Sequence, residues 1–135
     1  MNTIGVVAAL TAFLSIWFGH VAVRKVEFIS PTIWLPTTIF AALGLIVEYF
    51  SLSIVNRPGS VAFGILGITL LWDAIELSRQ QRRIVKGHAP ANPNNPRHAR
   101  ILAAHSSATT RDLLKRDPIG HMIPADEANQ QVSNL

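Results

Sequence analysis

The sequence contains no cysteine among its 135 residues. Disulfide bonds, thiolate zinc sites, iron–sulfur clusters and haem attachment through C-x-x-C-H are therefore excluded. Aromatic residues make up only 7%, and none follows Trp72, so no aromatic side chain alternates with the basic residues of the C-terminal third. We therefore expect no nucleic-acid partner. The sequence also shows no nucleophile beside a base, no metal-ligand cluster and no phosphate-binding loop, which predicts a protein that is not an enzyme and holds no cofactor or metal.

Hydrophobic residues are abundant, at 49%, and lie almost entirely before Leu77. They form three runs, at residues 3–23, 36–55 and 61–77, each near the ~17–25 residues that cross a bilayer. The sequence predicts an all-α membrane protein, a bundle of three transmembrane helices in which the third helix extends into the cytoplasm. Gly87 and Pro90 should end that helix.

The rest of the chain is polar. Residues 88–96 (HAPANPNNP) have the composition of a linker between a membrane domain, residues 1–87, and a cytoplasmic tail, residues 97–135. A short basic surface helix should run from Pro96 to about Arg116. We expect the tail's histidines, His98 and His105, to be solvated, and the segment 118–124 and the polar C-terminal end to be largely disordered.

Positive charge is concentrated at one end. Nine of the twelve Lys and Arg residues follow the third span. The positive-inside rule then predicts a multi-pass protein of the inner (cytoplasmic) membrane with its N-terminus outside and its C-terminus in the cytoplasm. The basic tail should contact anionic lipids of the bilayer.

Small residues recur at steps of three and four in all three spans, which predicts close helix packing. The glycines of these rows are Gly5, Gly19, Gly44, Gly64 and Gly67. The opposite face of the third span is polar. It carries Thr69, Asp73, Glu76, Gln80 and Arg83. If the small residues face the other two helices, this polar face points away from the chain's own core and forms a partner interface, with a second copy or another subunit.

Two further sites have ionisable side chains at membrane depth. His20, Arg24, Lys25 and Glu27 lie at the inner end of the first span. We interpret them as a charge cluster at the cytoplasmic mouth; the alternatives are side chains that only reach out to water, or a haem or pigment ligated by His20. Glu48 lies within the second span without a basic residue at its level, which makes it a candidate proton site.

Two segments resemble a known family. They are FGHVAVRKVEF, residues 18–28, and LLWDAIELSRQQRRIVKGHAPANP, residues 70–93. The chain resembles small bacterial integral membrane proteins catalogued as a domain of unknown function (number 4491). The matching residues are His20, Lys25 and Glu27 in the first segment and Trp72, Glu76, Leu77, Gln80, Arg83, Gly87, Pro90, Asn92 and Pro93 in the second, with Ile84 where the family pattern has Val. The resemblance covers about residues 1–97. It implies a three-span fold and no mechanism.

Two functions stay open at this stage. The first is an accessory or scaffolding subunit without enzymatic activity, which forms a homo-oligomer or part of a larger membrane complex. The alternative is a small oligomeric proton-coupled transporter that uses Glu48.

Overall fold

The computed structural model describes residues 3–112, which form four helices. Helix α1 spans Thr3–Ile29, α2 spans Trp34–Ser53, α3 spans Arg57–Val85 and α4 spans Pro96–Ala104. The first three are long and apolar enough to cross a membrane, which confirms the predicted three-span, all-helical architecture. The segments predicted to be disordered, residues 118–124 and the polar C-terminal end, lie outside the described residues.

Local sequence signals define both ends of α3. At its start, the Asn56 side chain accepts a hydrogen bond from the Gly59 amide at 3.3 Å, and Pro58 occupies the first turn. At its end, Gly87 has φ of +73°, a conformation that favours glycine. The amides of Gly87 and His88 donate to the carbonyl oxygens of Ile84 and Arg83 at 3.0 and 2.8 Å, so the helix ends at the predicted glycine. Its 29 residues span about 43 Å and exceed the hydrocarbon core.

Helix α3 is the central helix of the membrane-spanning part. It packs along both α1 and α2, which make little contact with each other. Within the most apolar stretch of each helix, 28% of the residues are buried in α3, against 11% in α1 and 17% in α2. Because the two outer helices lie on different sides of α3, each of its two faces meets a different neighbour.

The small-residue face of α3 packs against α2. A Cβ atom added at Gly67 would lie 3.0 Å from the backbone nitrogen of Glu48 and 3.2 Å from the carbonyl oxygen of Gly44, so a side chain there would push the two backbones apart. Gly44 itself lies against Leu71, and Gly64 lies near Glu48.

The polar face of α3 packs against α1, which corrects the prediction that it points away from the chain's core. Thr69 and Ser15 bring their hydroxyl oxygens within 3.3 Å, and Gly19 lies directly against the Asp73 carboxylate. Asp73 is only 4% exposed. The prediction placed α1 and α2 both on the small-residue face of α3. In the structure α3 lies between them, so each of its two faces packs against one helix. Gly5 is also not a packing residue, because a Cβ there would meet nothing within 4 Å.

The segment that follows α3 is folded onto the ends of the helices, and we call residues 86–112 the cap. Ala89 and Ala91 form a small hydrophobic core with Ile84 and Ile101, to which Leu102 contributes. The chain then turns back, so that the amide of Ala91 donates to the carbonyl oxygen of Thr109 at 2.8 Å. A linker of Pro and Asn residues was therefore the wrong interpretation of residues 88–96, since this segment carries buried side chains.

Helix α4 differs from the predicted surface helix. It ends at Ala104 instead of about Arg116, because Ser106, Ser107, Thr109 and Thr110 follow within a few residues and favour turns over helix. It is also not solvated throughout. Arg97, His98 and Ile101 are buried, whereas Arg100 is exposed.

Candidate functional site

A buried ionic cluster joins the end of α1 to the start of α4. Glu27, Arg97 and His98 are 1%, 7% and 0% exposed. Arg97 Nη1 lies 2.8 Å from Glu27 Oε1, and His98 Nε2 lies 3.1 Å from the same oxygen. We call these three residues the Glu27 cluster. A buried carboxylate needs such partners, because an isolated charge in an apolar interior is costly.

The same segment satisfies the last carbonyl groups of α1, which have no partner within the helix. Arg97 Nη2 donates to the Glu27 carbonyl oxygen at 2.6 Å. The Asn95 side-chain amide donates to the carbonyl oxygens of Phe28 and Ser30 at 3.1 and 2.9 Å, and the Asn92 amide donates to that of Phe28 at 3.2 Å. The cap is therefore anchored to α1 through polar contacts as well as to α3 through apolar ones.

The hydrogen bonds of His98 define its protonation state. Its Nδ1 accepts a hydrogen bond from the backbone amide of Asn92 at 2.9 Å, so this nitrogen carries no proton. The remaining proton lies on Nε2, which donates to Glu27 Oε1. Burial lowers the pKa of His98 below its usual value, and the neighbouring Glu27 carboxylate opposes this effect. The neutral imidazole is thus the form that fits the Glu27 cluster, and the expectation of a solvated His98 was wrong. His105, by contrast, is exposed.

The four residues predicted for the cytoplasmic-mouth cluster line one cavity, but the carboxylate of Glu27 is paired with residues outside that cluster. His20, Arg24 and Lys25 are exposed and line a cavity of about 540 Å³ at the cap end of α1. Glu27 contributes to that cavity, but its carboxylate oxygen pairs with Arg97 and His98. Arg97 was missed because it lies 70 residues away in sequence from its partner. The asparagines before Pro96 signal the start of α4, and nothing local indicates what α4 contacts.

The lower part of the polar face of α3 is paired within the helix. Glu76, 4% exposed, forms an ion pair with Arg83, with 2.6 Å between Oε1 and Nη2. Arg83 also donates to the Gln80 side-chain oxygen at 3.0 Å, and Gln80 is itself buried. Arg79 lies 3.9 Å from Glu76 and stacks over the Trp72 ring. Glu76 therefore needs no partner from another chain.

Asp73 lies in a different setting. It lines a groove of about 480 Å³ that is formed mainly by α1 and α3, with Phe40 contributed by α2. The apolar lining comes mainly from Leu14, Phe18, Phe40, Leu66 and Leu70, and the polar lining from Thr11, Ser15, Thr69 and Asp73. Within residues 3–112, no side chain or amide donates a hydrogen bond to the Asp73 carboxylate and no cation forms an ion pair with it.

Glu48 lies in the interface between α2 and α3. A Cβ added at Gly67 would come within 2.7 Å of its carboxylate. Its carboxylate has a distant contact with the Ser51 hydroxyl, at 3.5 Å, while that hydroxyl makes a shorter bond of 2.7 Å to the Glu48 carbonyl oxygen. The carboxyl group is therefore only weakly held by its neighbours.

Three helices that could span a membrane, with a folded cap at one end, define a small helical membrane-type protein. Among the residues that the structure describes, no group of three or more His, Asp or Glu side chains is arranged to hold a metal ion. The chain belongs to the family whose model is described as a domain of unknown function (DUF4491), which matches residues 2–95. No curated protein and no solved structure matches the chain.

Proposed function

We propose that the protein is an accessory or scaffolding subunit of a membrane assembly, without enzymatic activity, and that its cap docks an acidic surface of a partner subunit at the cytoplasmic side. This proposal rests on one observation, the difference in exposure between acidic and basic side chains at the cap end. Glu27, Asp73 and Glu76 are buried there, whereas the basic side chains other than Arg97 are exposed. The exposed ones are Arg24, Lys25, Arg79, Arg82, Arg83, Lys86, Arg100 and Arg111.

The anchoring of the cap gives this basic surface a fixed shape. Arg97 and Asn95 bind the end of α1, while Ala89, Ala91 and Ile101 pack on the end of α3. A surface that is already ordered loses less conformational entropy on binding than a flexible tail does. Complementary charge also accelerates association and selects among partners.

The test compares proteins that co-purify with variants of the tagged full chain in mild detergent. A variant with Arg82→Gln, Lys86→Gln, Arg100→Gln and Arg111→Gln should lose a stoichiometric partner that the wild type retains. The single substitutions Arg100→Gln and Arg57→Gln form a matched pair, because each removes one exposed arginine. Arg100 lies in the cap, whereas Arg57 lies at the opposite end of α3. Only the former should weaken retention, and salt should weaken it further.

Two results would oppose this proposal. A partner retained equally by the fourfold variant would show that docking uses another surface. A wild type that purifies without a partner, but whose binding to anionic vesicles is lost in the fourfold variant, would assign the basic surface to lipid headgroups instead.

A second proposal, an oligomeric proton-coupled transporter, is supported by the position of Glu48. A weakly held carboxyl group between two membrane helices is suited to taking up and releasing a proton. Wild-type protein in liposomes should then move protons when substrate is added, and Glu48→Gln should abolish this movement. Equal proton flux in both proteins would oppose a role for Glu48.

A further inference from the structure

The groove beside Asp73 exists because α1 and α2 contact α3 on different sides and hardly contact each other. It lies within the predicted spans, and its volume of about 480 Å³ falls in the range of small-molecule sites, roughly 300–1,000 Å³. Its walls are largely aromatic and aliphatic, including Phe18, Phe40 and Leu66. Such a lining suits an apolar molecule.

The polar side chains beside Asp73 have already used their hydroxyl protons within the chain. Thr69 donates to the Ile65 carbonyl oxygen at 2.7 Å. Ser15 lies 3.3 Å from both the Ala12 carbonyl oxygen and the Thr69 hydroxyl oxygen. Thr11, the other hydroxyl in the lining, lies a further helical turn from Asp73. The groove thus presents unused acceptors around a carboxyl group that is 4% exposed.

The charged side chains around Asp73 do not fill this role. His20 lines the cavity at the cap end and not the groove, and Glu76 pairs with Arg83. A carboxyl group in an apolar environment is stabilised by a donor that forms a charge-assisted hydrogen bond. Among residues 3–112 no group supplies this donor, so a molecule bound in the groove can provide it.

We propose that the groove binds a lipophilic amine. Its apolar chain packs against Phe18, Phe40 and Leu66, and its N–H groups donate to the Asp73 carboxylate. This site is separate from the basic surface of the cap, so the proposal does not depend on the docking of a partner subunit.

The experiment uses the full chain in phosphatidylcholine nanodiscs, since that lipid headgroup has no N–H donor. The probe is a dodecylamine with a photoreactive diazirine in its alkyl chain, and labelled peptides are mapped by mass spectrometry. Labelling should fall in the groove segments of α1 and α3. Unlabelled dodecylamine should compete, whereas dodecanol and dodecanoic acid should not.

Three variants connect the labelling to Asp73. Asp73→Asn should weaken competition by dodecylamine on the order of tenfold or more, because it removes a hydrogen bond to a charged group. Ala22→Phe should reduce labelling by filling the groove while leaving Asp73 in place. Glu48→Gln is the matched control, since it replaces a carboxyl group of another predicted span that does not line the groove. It should label like the wild type.

The amine has two sources, a free amine or the ammonium group of phosphatidylethanolamine. Nanodiscs that contain phosphatidylethanolamine distinguish them, because loss of probe labelling there assigns the site to the lipid. Unchanged dodecylamine competition in Asp73→Asn, or equal competition by dodecanol, would overturn the proposal. A cross-link from the groove to a second copy of the chain would also overturn it, since the groove would then be a protein interface.

Discussion

The guanidinium group of Arg97 and the carboxylate of Glu27 form a buried ion pair, with 2.8 Å between Nη1 and Oε1, across 70 residues of sequence. The pair connects the end of the first membrane-type helix to a segment that follows the third. It holds the cap against α1, and with it the exposed basic surface that we propose as a docking site.

Breaking this ion pair should release the cap. Arg97→Gln leaves the buried Glu27 carboxylate without its cation, which typically costs about 3–5 kcal/mol. We expect hydrogen exchange of α4 and residues 88–95 to rise strongly, with α2 little affected. Arg100→Gln is the control on the same helix, because Arg100 is exposed. Equal exchange in the two variants would mean that the other contacts of the cap, those of Asn92, Asn95 and Ile101, hold it without this ion pair.

The stability of the cap should fall with decreasing pH. The pKa of His98 is lowered in the folded state, so the unfolded segment binds the proton first. The stabilisation is fully present above the usual value of 6.5 and is lost as pH falls from 6.5 towards the lowered folded-state pKa. Protonation of Nδ1 would also disrupt its hydrogen bond from Asn92.

Hydrogen exchange of α4 at pH 7.5 and 5.5, corrected for intrinsic rates, measures this effect. His98→Gln should lose most of the pH dependence, since it removes the group of the cluster whose pKa is lowered in the folded state. His105→Gln should keep it, because His105 is exposed. A pH dependence that survives in His98→Gln would assign the effect to another group.

The contact between α2 and α3 should tolerate no side chain at Gly67. Gly67→Ala places a methyl group 3.0 Å from the Glu48 nitrogen, and we expect a loss of about 1–3 kcal/mol from the displaced backbones. Gly5→Ala is the matched control, because a Cβ there meets nothing within 4 Å. Thermal unfolding in the same detergent compares the two. A Gly67→Ala protein as stable as Gly5→Ala would contradict this close packing.

The positive-inside rule predicts the orientation of the chain. A reporter fused after Leu135 should be cytoplasmic, and one fused before Met1 should be external. Paired reporters that are active on opposite sides of the membrane measure this directly. Export of the C-terminal reporter would contradict both the orientation and the proposal that the cap meets a cytoplasmic partner.

Properties that depend only on residues close together in the sequence could be predicted from it. The three long helices follow from apolar runs, because crossing hydrocarbon requires about twenty apolar residues whatever the surroundings. The C-terminal end of α3 follows from Gly87, whose backbone conformation acts within one helical turn, whereas the helix begins at Arg57, four residues before the predicted run at 61–77. The concentration of basic residues after the third span is equally a property of the sequence alone.

Contacts between distant segments were decided only by the tertiary structure. Amphipathic patterns show that α3 has two faces, but not that α2 takes the small one and α1 the polar one. Pro and Asn residues after α3 have the composition of a linker, yet Asn92 and Asn95 bind the exposed carbonyl groups of α1. Glu27 and Arg97 lie too far apart in sequence for any local pattern to pair them. Helix periodicity specifies which residues share a face, whereas the partner of that face depends on how the whole chain packs.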